Sequence, residues 1–173
     1  MLYESPSGSI CDCCHPSLTS TADAGFVVMW RNAVEGYRDL YTMRLRDGAP
    51  AGPAEKQGLG SWRLNACPMD GGGIAMREGR VGSAWRREKD IYIAEPGKPE
   101  RKLGAGQDVA FAANNQGWYA VWSSPAGIET MLPGATEITH VSNAGAFPAL
   151  VTTGGGVILA AWEENGAIAT KRF

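Results

Sequence analysis

Residues 25–32, "GFVVMWRN", hold an apolar run that begins after a glycine and ends at a tryptophan, with two polar residues behind it. The same shape returns as "GRVGSAWRRE" at 79–88, "GWYAVWSS" at 117–124 and "GVILAAWEEN" at 156–165. The tryptophans Trp30, Trp85, Trp122 and Trp162 are spaced by 55, 37 and 40 residues. A second short apolar stretch precedes each run: "PSLTST", "GGIAMR", "DVAFAA" and "FPALVTT". A third follows it: "RDLYTMRL", "KDIYIAEP", "GIETMLP" and "AIATKRF". Fourth stretches stand at "AEKQGL", "ERKLGA" and "EITHVS". Short runs punctuated by Gly, Pro and Asn read as strands, and no window carries helical periodicity between credible caps. The chain therefore reads as all-β. Four antiparallel strands in a period of about 40 residues predict a β-propeller with four-stranded blades. A β-sandwich also has short strands at regular spacing, but it does not call for a tryptophan at one point of every unit.

On this reading one domain spans residues 1–173, with blades at about 16–66, 68–107, 108–145 and 147–173, the last lacking an outer strand. "MLYESPSGSI" at 1–10 reads as an outer strand without a blade of its own. Two arrangements follow. Residues 1–10 complete the last blade and close a small four-bladed ring, or the chain is the C-terminal part of a six-bladed ring. Unclosed blades would leave edges open to a partner chain or to self-association.

The bulk properties narrow the partners. With 16 basic and 18 acidic residues, the net charge of −2 gives no global field to recruit nucleic acid or an anionic membrane. The longest apolar runs are too short to span a bilayer, and the first residues lack the basic start and apolar stretch of a signal peptide.

Three of the four cysteines fall in "CDCCHP", as Cys11, Cys13 and Cys14, followed by His15; the fourth, Cys67, lies in "NACPMDGGG". In a propeller both segments precede the innermost strand of neighbouring blades, at one mouth of the channel, so Cys67 is expected back beside the trio. Four cysteines allow three pairings. Two disulfides in an exported protein are one reading, which needs no cofactor. The alternative is a thiolate site for Zn or Cu built from Cys11, Cys13, Cys14 and Cys67, with His15 as a further ligand. The glycines of "DGGG" at 70–73 are expected to permit close packing near the axis.

"CDCCHPSL", "VMWRN" with "GYRDLYTMRLRDG", "SWRLNACPMDGGG" and the closing "VILAAWEENGAIATKRF" together resemble bacterial sialidase-like propellers with BNR (Asp-box) repeats. The likeness is to an exported subgroup labelled exo-alpha-sialidase. "RLRDGAP" stands where an Asp box would lie, without the usual serine, second glycine and aromatic. The resemblance implies an extracytoplasmic location and a glycan-related role. Sialidase catalysis would need three arginines, a Tyr/Glu pair and an acid/base Asp. No arginine motif of that kind is present and no glutamate pairs with Tyr37 or Tyr41, so catalytic roles are assigned to no residue.

The expected function is accordingly a carbohydrate- or protein-binding module, with glycoside hydrolysis or metal binding as alternatives. The residues that follow each tryptophan share the cysteine-bearing end. From these and the adjoining loops, Arg31, Asn32, Arg38, Asp39, Asp70, Arg86 and Arg87 are the candidate ligand-binding set. Guanidinium groups from two neighbouring units offer paired donors to a carboxylate or another small anion. Trp62 and Trp118, outside the repeated position, are the candidates for exposed stacking surfaces.

Overall fold

The computed structural model describes residues 1–173. It contains sixteen strands and no helix, so the all-β expectation holds. The strands form four antiparallel sheets that follow one another along the chain. The first comprises β1 (Ser17–Ser20), β2 (Phe26–Arg31), β3 (Leu40–Arg46) and β4 (Ala49–Pro50), with β5 (Glu55–Lys56) also pairing with β3. The second holds β6 (Gly73–Arg77), β7 (Arg80–Arg87), β8 (Asp90–Ala94) and β9 (Arg101–Ala105). The third holds β10 (Gln107–Asn114), β11 (Gly117–Ser124), β12 (Gly127–Met131) and β13 (Thr139–Ser142). The fourth has three strands, β14 (Ala146–Thr152), β15 (Ile158–Glu164) and β16 (Ala167–Arg172).

Local chemistry sets the hairpins. Asp47-Gly48, Glu78-Gly79 and Asn165-Gly166 each place two successive residues at positive φ, between 51° and 77°. That is the backbone of a type I′ turn, whose twist matches the strands it joins. "RLRDGAP", the expected Asp-box position, is the β3–β4 hairpin around one of these turns.

The sheets pack in series through their leading strands: β1 lies against β6, β6 against β10 and β10 against β14. The first and last sheets are not packed together in this way, and the series does not close into a ring. Burial follows the order. β11, in the third sheet, is buried along nearly its whole length, which is why "WYAVW" is a continuous apolar run rather than an alternating one. β16, in the last sheet, is almost entirely exposed.

The repeated tryptophans explain how one sheet holds the next. Trp85 packs with Val27, Met29 and Leu40 of the preceding sheet. Trp122 packs with Ala84, Ile91 and Ile93 of the second sheet, and its Nε1 donates to the Ala105 carbonyl at 3.3 Å. Trp162 packs with Val121 and Ile128 of the third. Each is a wedge between sheets. Trp30 has no preceding sheet; the ring of Tyr3, 4.7 Å away, covers it instead. Residues 1–10 therefore lie along the first sheet, where Ile10 bridges Asn32, and supply no outer strand to the last one. Covering Trp30 is the physical reason.

The glycine-rich "DGGG" marks close approach, as expected. A Cβ on Gly71 would collide with the His15 carbonyl, and one on Gly73 would stand 2.9 Å from Phe111 Cβ. No helix is long and apolar enough to cross a membrane.

Candidate functional site at the cysteine-bearing end

The Ile10–Asn32 bridge and a hydrogen bond from Cys11 N to the Arg31 carbonyl, 3.0 Å long, fix the cysteine segment beside the end of β2. Gly71 brings the loop before β6 against His15. These contacts return Cys67 to the trio, and Cys13 and Cys67 form a disulfide with Cα atoms 6.5 Å apart. Cys11 and Cys14 are free thiols, both buried, so the second expected crosslink is absent. Their Sγ atoms lie 3.4 Å apart, and Cys13 Sγ is 3.5 Å from Cys11 and 3.9 Å from Cys14. Burial pushes the Cys11 thiol up to about 11, and the neighbouring Cys14 adds to the effect. His15 stands outside this sulfur cluster. Its ring is turned against Gly71, which takes it out of the expected ligand set.

The candidate arginines have different fates. Arg31 is 1% exposed. Its Nε donates to the Asp70 carbonyl at 2.8 Å, Nη1 to the Arg38 carbonyl at 2.5 Å and Nη2 to the Arg86 carbonyl at 3.1 Å. It is an internal strut between the first two sheets, sealed from any ligand in solution. Burial pulls its guanidinium below its ordinary value, opposed by the charge of Asp70 and by the Cys14 and Cys11 sulfurs. Asn32, fully buried, donates to Tyr3 Oη at 2.6 Å and accepts from Ala33 N at 3.0 Å. Both residues were expected on a binding surface. The burial that holds the N-terminal segment against β2 has removed them from it.

Arg87 also turns inward. It pairs with Glu100 at 2.6 Å and lies 3.8 Å over the Tyr92 ring. Asp39 accepts from Trp62 N at 2.8 Å and sits 3.8 Å from Lys56 Nζ. Arg38 is half-buried and reaches the Ala66 carbonyl at 3.4 Å. Trp62 is clamped between the guanidinium carbons of Arg31 and Arg86, at 5.4 and 5.5 Å from its ring centroid. The cavity left among these groups is about 10 Å³, room for about one water. Trp62 is 7% exposed and Trp118, stacked on Phe111 at 5.6 Å, is 8% exposed, so neither is a free stacking surface. Each has a neighbouring sheet or loop to cover it, which its place outside the repeat did not reveal.

Arg86 differs from its neighbour because alternate residues of β7 face opposite sides. Its Nε donates to the Glu88 carbonyl at 2.7 Å and its Nη1 to Gln107 Oε1 at 3.3 Å. With Lys89, Gln107, Ser123 and Ser124 it lines a cleft of about 420 Å³ between the second and third sheets. Lys89 is exposed and has no ion-pair partner. A larger cleft, about 510 Å³, lies at the opposite end of the same two sheets. Its cations are already engaged: Arg77 bonds the Asn114 carbonyl and Glu78, Lys98 pairs with Glu95, and Arg101 contacts Met131 Sδ.

Two carboxylates lie near the smaller cleft, Asp70 buried and Asp108, next to the cleft's Gln107, half-buried. Asp70 is 1% exposed and accepts from Asp108 N at 3.0 Å through one oxygen, while its other oxygen and Asp108 Oδ2 are covered and unpartnered. Burial, then the charge of Asp70, holds the Asp108 carboxyl above its ordinary value. Asp108 takes φ 54° where the second sheet has Gly72 at 76° and the fourth has Phe147 at 53°. Aligning the repeats on these positions would have picked out Asp108 from sequence. Lys89 carried no such signal, being one charge in a run of them. The chain matches no protein-family model and no curated protein sequence.

Proposed function

We propose that the chain is a run of blades from a sialidase-like β-propeller that works outside the cytoplasm as a binding module for carboxylate-bearing glycans. The serial packing of leading strands and the tryptophan wedges support the propeller reading, because radially arranged blades meet through their innermost strands. The Cys13–Cys67 disulfide is compatible with an extracytoplasmic location.

One observation carries the binding reading: Arg86 and Lys89 converge on a cleft of ligand size whose other polar lining is Gln107, Ser123 and Ser124. A planar guanidinium with an edge to spare, a mobile ammonium and two hydroxyls suit a carboxylate flanked by sugar hydroxyls. Hydrolysis would require carboxyl groups that reach the substrate. The inward oxygens of Asp70 and Asp108 are covered, which leaves recognition to the cations.

Calorimetric titration with sialic acid and with a hexuronic acid tests this. Binding is expected to weaken at least tenfold in Arg86→Gln and in Lys89→Gln, and to fall with added salt. Equal affinity for the neutral parent sugars, or no change in either variant, would overturn it.

A further inference from the structure

The sulfur cluster plays no part in the cleft, and its geometry points to a second site. We propose that Cys11, Cys13 and Cys14 form a nest for one thiophilic d10 cation of the zinc class, closed in this oxidised state by the Cys13–Cys67 bond. Zinc–sulfur bonds of about 2.3 Å in a tetrahedral site place sulfurs about 3.8 Å apart. The three sulfurs here are separated by 3.4, 3.5 and 3.9 Å, within a few tenths of that edge before any ion is bound. A tight turn, closed by Cys14 N donating to the Cys11 carbonyl at 3.1 Å, gathers them. The nest is therefore set by local backbone and does not depend on the crosslink.

Charge supports the same conclusion. Three thiolates around a divalent cation leave a net negative charge, which needs compensation in a buried place. The Arg31 guanidinium lies close enough to Cys14, Cys11 and Asp70 to feel their charge, and it spends its hydrogen bonds on neutral carbonyls. Arg38 adds a second positive charge within electrostatic reach of Cys11. Soft thiolate ligands then select zinc-class ions over calcium or magnesium.

The covalent step is balanced by a dithiol reductant. It gives two electrons and two protons to the Cys13–Cys67 bond and leaves as its own disulfide. The thiols of Cys11, Cys13 and Cys14 then lose their protons as the cation binds, and the released Cys67 is at hand as fourth ligand. Cys13 and Cys67 are exposed while Cys11 and Cys14 are buried, so the reductant meets the crosslink first.

Cys67→Ser provides the test, because it frees Cys13 without any reductant. Zinc would be titrated against a chromophoric chelator, with stoichiometry read by native mass spectrometry and coordination by the visible spectrum of the cobalt(II) form. One zinc per chain is expected in Cys67→Ser and in the fully reduced parent. The oxidised parent should bind more than roughly 100-fold more weakly, since losing a direct ligand outweighs the ten- to hundredfold known for outer-shell partners. Adding Cys11→Ser or Cys14→Ser should abolish the tetrahedral cobalt spectrum. The unreduced, denatured parent should show two free thiols. No zinc bound by Cys67→Ser and reduced parent alike, binding that survives loss of Cys11 and Cys14, or no free thiols in the unreduced chain would each overturn the proposal. Should the reduced protein unfold, zinc is expected to restore its near-ultraviolet dichroism, and failure to do so counts equally against the site.

Discussion

Replacing Arg31 by methionine separates a strut from a binding residue. The side chain donates three hydrogen bonds to carbonyls of Asp70, Arg38 and Arg86, in a place 1% exposed. Hydrogen bonds from a charged group contribute roughly 1.5–3 kcal/mol each, and a buried acceptor left without a partner costs about 1–3 kcal/mol. Against this, methionine spares the folded state the several kcal/mol of burying a guanidinium. Three lost bonds, partly offset by that relief, leave an expected net loss of about 2–4 kcal/mol. Domains of this size are stable by only about 5–15 kcal/mol, so the urea midpoint should fall by a large fraction. The assay is urea unfolding followed by tryptophan fluorescence with the disulfide intact, and coincidence with circular dichroism checks the two-state assumption. Arg86→Gln is the control. Its two bonds, to the Glu88 carbonyl and to Gln107 Oε1, are at the edge of an open cleft, and it should cost under about 1.5 kcal/mol. A loss below about 1 kcal/mol for Arg31→Met, or equal losses for the two variants, would refute the assignment of Arg31 as a strut.

Three further variants have expected outcomes. Gly145, at φ 136°, would place a Cβ 2.7 Å from Trp162 Cδ1 and 2.9 Å from Ile128 Cγ1. Gly145→Ala should therefore destabilise by roughly 1–3 kcal/mol through overpacking. Gly154→Ala has open space around it and should stay within about 0.5 kcal/mol of the parent in the same denaturation assay. The Asp108 carboxyl is held above its unfolded value by burial and by Asp70. Its proton is thus bound more tightly in the folded state, and the stability it contributes is full below the ordinary Asp range and lost as pH rises through the raised value. Asp108→Asn should lessen that loss, so stability measured between pH 4 and pH 7 should fall less in the variant than in the parent.

Much of the strand pattern and the sense of the tryptophans were legible in the sequence because they rest on short-range rules. Alternating or continuous apolar runs, X-Gly turns and a recurrent large aromatic at one point of the unit all express local packing demands. "GRVGSAWRRE" announced a strand ending in a wedge, and β7 with Trp85 is that strand.

The roles of side chains near those strand ends could not be read the same way. Arg31 and Arg86 both follow a repeated tryptophan, yet one is sealed inside and the other lines a cleft. The difference lies in which distant carbonyls stand opposite each guanidinium, and those come from residues up to 55 positions away. The cysteines follow the same logic: their spacing gathers three sulfurs in one turn, while the bond to Cys67 depends on Gly71 letting the next sheet's loop come against His15. Periodicity and turn chemistry act over a few residues and are written in the chain. Desolvation and pairing depend on what the assembled sheets place alongside, and only the tertiary structure decided them.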